Sequence, residues 1–226
     1  MTALAICLAY RDMVHSGFAF DLARLTAYWT ARNVPQGGRL HLFTSQGTLI
    51  ADQREKLVKE ALAANVDWLL WIDSDMRFPK DGADRLMSHG KPIVAANYAT
   101  RRLPVETVAF KTPAAKSFVY TYPSSTGLEK IHAVGMGFML VHADVYRKAA
   151  RPWHDIHYVE ANGDHSGEDM HFCAQARKAG YDILLDHDVS KQVQHIGQIE
   201  FTHDHALACI EYVKGAARWR SPPIAD

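Results

Sequence analysis

The chain has 226 residues, enough for one sizeable core with at most a small appended lobe. Apolar residues make up 48% and charged residues 22%, which excludes an intrinsically disordered chain. Its 25 basic and 25 acidic residues cancel, so no whole-molecule positive field marks a polyanionic partner, although a local basic patch is compatible with this balance.

The first element is a strand over residues 4–9. The apolar stretch there has no basic segment ahead of it and runs straight into Arg11-Asp12, which reads as a strand rather than a signal peptide. A helix over 18–33, a strand over 40–43 and a helix over 50–65 follow. The second helix places Leu57, Val58, Ala61 and Leu62 on one face. Next come a strand over 68–72, a helix over 81–89 and a strand over 93–96. Apolar strands separated by helices predict a parallel sheet of βαβ units covered on both faces.

From 104 to 134 the texture changes. Strands over 105–110, 118–122 and 129–134 are broken by Thr112-Pro113 and a turn over 123–127, which predicts a small antiparallel excursion. A buried strand over 138–141, helices over 143–150 and 168–179, and a strand over 183–185 complete the pattern, with Gly180 as a helix C-cap. The tail over 206–219 has mixed helical character. Cys7, Cys173 and Cys209 are far apart and form no C-x-x-C pair, which argues against a disulfide framework and for a reducing, cytoplasmic setting. No run approaches the length of a membrane span.

The sharpest motif is Asp73-Ser74-Asp75, at the exit of the wholly apolar strand 68–72. Ligands in open α/β sheets bind beyond the carboxyl ends of strands. Two acids one residue apart there can share a hard cation, or simply cap the following turn. Glu168-Asp169 opens an amphipathic helix. The helix dipole favours acids at that end, and Asp169 is also a candidate general base. His195 is either a packed histidine or, in company with Asp75, a further metal ligand. Arg101 and Arg102, after the strand 93–96, suit phosphate or an anionic acceptor, or form a solvated surface pair. Lys214, Arg218, Trp219 and Arg220 make a basic, aromatic C-terminus. His154, His157, His165 and His171 match no closed four-ligand zinc spacing, and neither HExxH, GxGxxG nor a Walker A sequence is present.

With these motifs in place, the chain resembles the GT-A fold glycosyltransferases, especially the family 2-like enzymes often encoded by bacteriophages. The resemblance covers most of the chain, from Leu4 to about Gly197. It rests on Asp73-Ser74-Asp75, the Gly135-Met136-Gly137 turn, the Glu168-Asp169 pair and His195. It implies a single GT-A domain over 1–226: a nucleotide-binding half to about 100, an acceptor half to about 200, and a C-terminal helix and tail. It also implies a nucleotide diphosphate donor such as UDP-glucose and Mn2+ or Mg2+ held by Asp75 and His195, with Asp73 on the donor ribose or a metal-bound water. Asp169, assisted by Glu168, would be the base of an inverting transfer. Tyr10, Arg11, Arg54, Ser74 and Arg101 would contact the donor, and Gly135 and Gly137 would let backbone approach the sugar or acceptor. The acceptor would be a modified base in DNA, a saccharide or a protein. Two other readings stay open: a metal-dependent phosphohydrolase or nuclease built on the same acids, and a non-catalytic nucleotide-sugar-binding module.

Overall fold

The computed structural model describes residues 2–101, 105–113, 117–160 and 163–197. Strand β1 (Ala3–Tyr10) shows why the chain folds in three layers. Ala3, Ala5, Cys7 and Ala9 enter one apolar cluster, while Leu4, Ile6 and Leu8 enter another. Pleating sends successive side chains to opposite sides, so a strand apolar throughout needs helices on both faces.

Helix α1 (Ser16–Asn33) covers the Leu4 face with Phe18, Leu25 and Trp29. After a 3-10 turn, β2 (Arg39–Gln46) pairs parallel with β1. Helix α2 (Ile50–Ala63) covers the Ala3 face through Leu57, Val58 and Ala61. Strand β3 (Trp68–Ile72) flanks β1 on its other side, also parallel. The two-residue β4 (Met76–Arg77), α3 (Gly82–Ser88) and β5 (Ile93–Ala95) follow. Then come β6 (Ala109–Phe110), β7 (Leu128–Ile131), β8 (Ala133–Val134) and the buried β9 (Phe138–His142). Helix α4 (Ala143–Lys148) leads to a hairpin of β10 (His157–Val159) and β11 (Asp164–Ser166). Helix α5 (Glu168–Lys178), β12 (Ile183–Asp186), α6 (His187–Ser190) and β13 (Gln194–His195) end the body.

The main sheet has seven strands in the order β2-β1-β3-β9-β5-β12-β7. Five run one way, and β9 and β7 run against them. Side chains of α1, α3 and α6 pack on one face, and those of α2, α4 and α5 on the other. The result is a largely parallel α/β sheet flanked by helices. The expected buried strand over 138–141 is present, but it lies antiparallel between β3 and β5.

The expected excursion is smaller than its sequence suggests. Among its described residues only β6 and β8 pair as a separate ribbon, and the region 118–122 is not a strand apart from a single bridge from Phe118 to Phe110. The reason is visible at Val119, whose carbonyl accepts hydrogen bonds from Asn97 Nδ2 (2.7 Å) and Thr107 Oγ1 (2.8 Å). Side chains have taken the place of a strand neighbour. The strand expected over 129–134 breaks at His132, where the chain leaves β12 and turns to β6.

The predicted helix over 206–219, with Cys209, Lys214, Arg218, Trp219 and Arg220, lies outside the described residues, as does Arg102. Cys7 and Cys173 are buried free thiols. No helix among the described residues is long and apolar enough to cross a membrane.

Candidate functional site

The parallel strands β1, β2 and β3 end on one edge, and their exits build a cleft of about 310 Å³. Ala9, Tyr10 and Arg11 come from β1 and the turn beyond it, Gly47 and Thr48 from the turn after β2, and Asp73, Ser74 and Asp75 from the end of β3. Gln53 and Arg54 of α2, Glu168 of α5, Arg101 and His195 complete the wall. Residues separated by nearly two hundred positions therefore share one opening.

Arg54 is the buried centre of this wall, with only 3% of its surface exposed. Its Nη2 donates to Asp73 Oδ1 at 2.8 Å, and Nη1 lies 3.2 Å from Glu168 Oε1. Burial pulls its pKa down, but the carboxylates of Asp73, Glu168 and Asp169 outweigh that and raise it well above the ordinary arginine value. The guanidinium stays charged. It stands over the Trp71 ring, which donates through Nε1 to Tyr146 Oη at 2.8 Å. The neighbouring Glu55 accepts from the backbone of Trp153 and His154, fixing α2 to that loop.

Asp75 is held differently. Its Oδ2 meets Arg101 Nη1 at 2.6 Å and faces His195 Nε2 at 3.5 Å. Burial works to raise this carboxyl, yet His195 and Arg101 outweigh it and hold it below its ordinary value. His195 reaches the cleft because β13 pairs antiparallel with β4, placing it opposite Met76. The adjacent Ile196 amide donates to the Asp75 carbonyl at 2.7 Å. His195 Nδ1 faces the Ala99 carbonyl at 3.0 Å, so that nitrogen carries a proton and the ring is oriented from behind. A carboxylate beside an imidazole already oriented from behind is a donor set that fits a divalent cation.

Glu168, not Asp169, reaches the wall of this cleft. Asp169 sits behind it, in space left by Gly167, where a Cβ would lie 2.8 Å from its Oδ1. Burial first, then the charge of Glu168, pushes the Asp169 carboxyl up to about 6 against the pull of Arg54. The start of α5 also borders a second cleft of about 410 Å³, lined by Gly167 and Met170.

Gly135 and Gly137 do not line the first cleft. They make room for Tyr98: a Cβ on Gly137 would lie 2.7 Å from its phenol, and one on Gly135 would collide with the hydroxyl. The expected backbone approach to a sugar is therefore replaced by an approach to a buried aromatic ring. Burial, then Asp73 and Asp169, raise the Tyr98 hydroxyl well above its ordinary value, so it stays neutral.

Neither a protein-family model nor a curated protein matches the chain. Its fold is similar to that of A197 from STIV. The crystal structure of that protein superposes with a TM-score of 0.51 over 90% of this chain and 100% of that one. The two sequences are 15% identical, and at that level the likeness bears on the fold alone.

Sequence reasoning missed Gln53 and Tyr98. Gln53 Nε2 donates to the carbonyls of Tyr10 (2.9 Å) and Ser45 (2.5 Å), tying the exits of β1 and β2 together. A polar residue one turn before Leu57, on the core-facing side of α2, was the available signal. For Tyr98 the signal was two glycines in three residues, which mark a place where something bulky presses on backbone. Of the four histidines, His154 stands apart from the other three, which line the second cleft. His154 is buried between Phe172, Trp71 and Tyr146, so it is a core residue and no ligand.

Proposed function

We propose that the chain is a GT-A type glycosyltransferase that moves a sugar from a nucleotide diphosphate donor, with a UDP-sugar as the first candidate, to an acceptor hydroxyl. One observation carries this reading. Asp73, Asp75, Glu168 and His195 meet in a single cleft at the carboxyl edge of an α/β sheet, with Arg54 joining the acids of β3 to those of α5.

In this reading the donor diphosphate enters the first cleft. Asp75 and His195 hold Mn2+ or Mg2+, which when bound neutralises the charge of the departing nucleoside diphosphate. Asp73, fixed by Arg54 through one oxygen, presents the other to the donor. Arg11 and Arg101 lie at the opening, where guanidinium groups pair with phosphate oxygens. The start of α5 delivers the base. A carboxyl raised to about 6 is a better proton acceptor near neutral pH than an ordinary aspartate, which suits Asp169 to take the acceptor proton. The acceptor would come from the second cleft, on the Gly167 side of α5. A hydroxymethylated base in DNA, a saccharide and a protein hydroxyl are the acceptors to assay.

The test is a thermal-shift panel of nucleotide sugars with Mn2+, Mg2+ or chelator. A UDP-sugar should raise the melting temperature only with metal, and Asp75→Ala should abolish the shift. Absence of any nucleotide-dependent shift would sink the reading. Cleavage of phosphodiesters without sugar nucleotide would replace it with a phosphohydrolase. Metal-dependent UDP binding with no turnover on any acceptor would reduce it to a binding module.

A further inference from the structure

The spacing of the histidines argues against a closed zinc site, but the fold brings two of them together with an acid that spacing does not reveal. Asp155 lies in the loop before β10, His157 opens β10, and His171 sits one turn into α5. One ligand atom from each lies within 4.8 Å of the other two. Around a transition ion bound at about 2.1 Å, ligand atoms stand roughly 3–4 Å apart, so modest side-chain rotation closes this set.

Three further features fit. The rings of His157 and His171 meet edge to face at 5.5 Å, so neither imidazole blocks the other. One ring nitrogen of His171 faces the Pro152 carbonyl at 3.0 Å, the kind of outer bond that orients a metal-ligating imidazole. Both histidines also line the second cleft, which leaves room for water or a substrate atom as a fourth ligand.

We propose that Asp155, His157 and His171 form a second metal site, separate from Asp75 and His195. It takes a borderline transition ion such as Zn2+ in preference to Mg2+ or Ca2+, because two of its three donors are imidazoles. Its ligands come from both sides of the junction between the β10–β11 hairpin and α5. A bound ion therefore pins the hairpin to the helix that carries Glu168 and Asp169. The site does not depend on the transferase reading.

The experiment is calorimetric titration of the metal-stripped full chain with Zn2+ and with Mg2+, repeated as a Co2+ titration followed by visible absorption. An Asp75→Ala/His195→Ala background silences the first site. In that background one equivalent of Zn2+ should bind, and Mg2+ should not compete. His157→Ala and His171→Gln should each weaken the binding at least tenfold. Circular dichroism checks that they fold, and Asp155→Asn, which exchanges a single atom, stands in if either does not. Limited proteolysis gives a second readout: Zn2+ should protect the hairpin in the background protein but not in the triad variants. No Zn2+ binding in the background, or an isotherm unchanged by the triad substitutions, would overturn the proposal. Neither result bears on UDP-sugar binding, which is read with Mn2+ in the intact first site.

Discussion

The Gly137 amide donates to the Tyr98 hydroxyl at 2.9 Å, and no side chain larger than hydrogen fits between them. The phenol is buried beside Asp73 and Asp169, so this contact sets the backbone from which β9 starts and against which Asp73 is placed. The Asp73 amide in turn donates to the Gly137 carbonyl at 3.1 Å.

A double-mutant cycle tests that arrangement. Gly135→Ala drives a methyl into the Tyr98 hydroxyl and should cost about 1–3 kcal/mol by overpacking. Tyr98→Phe removes the colliding oxygen, leaving contacts of 3.2 Å to the ring and 3.3 Å to Val108. The pair should be less destabilised than the sum of the single changes, as read by urea unfolding. Strict additivity would mean that the glycines serve something other than the ring.

Arg54→Ala should be among the most damaging substitutions in the chain. It leaves Asp73, Glu168 and Asp169 facing one another without their shared cation. Breaking a buried ion pair by removing one partner typically costs about 3–5 kcal/mol. Chemical denaturation measures it, and a loss under about 1 kcal/mol would show that water already screens these charges.

Asp169→Asn should stabilise the protein and, on the proposed transferase reading, abolish transfer at the same time. Folding raises this carboxyl from its ordinary 3.8 to about 6, so the folded state binds the proton more tightly than the unfolded state. The penalty is absent below the unfolded value, grows as pH rises through that window, and is complete above about pH 6. Asparagine removes it, with a gain of up to about 3 kcal/mol at pH 7.5 and none at pH 3.5. Melting temperatures of both proteins at the two pH values check the sign. For the proposed transfer, wild-type kcat/KM should fall about tenfold per pH unit below the same value.

Arg101→Ala should separate metal from donor. The guanidinium sits on Asp75 Oδ2 at 2.6 Å and opposes a cation there, while its charge favours phosphate. Partly exposed pairs of this kind are worth up to about 1 kcal/mol, so Mn2+ affinity without nucleotide should rise about threefold to fivefold. UDP-sugar affinity should fall. Titrating Mn2+ alone, and the UDP-sugar at saturating Mn2+, distinguishes the two effects.

Much of this was legible in the sequence because it is local. The apolar run of β3 ending in two acids, the helical face of α2 and the acids opening α5 are patterns within a dozen residues. What stayed hidden is pairwise. An apolar run such as 138–142 does not encode its direction, so nothing marked β9 as antiparallel. Two-residue strands such as β4 and β13 are too short for any periodicity, yet they bring His195 to Asp75. The Phe-Val-Tyr-Thr-Tyr alternation over 118–122 reads as a strand, because only the fold reveals that Asn97 and Thr107 occupy its carbonyl.

The placement of β9 has one more consequence. A growing polypeptide makes β3 and β5 long before it makes the strand that belongs between them, so the emerging sheet keeps an open seam until residue 142 has been synthesised. The first hundred residues therefore do not make a self-sufficient folding unit, and a fragment cut there would expose the flanks of β3 and β5 to aggregation.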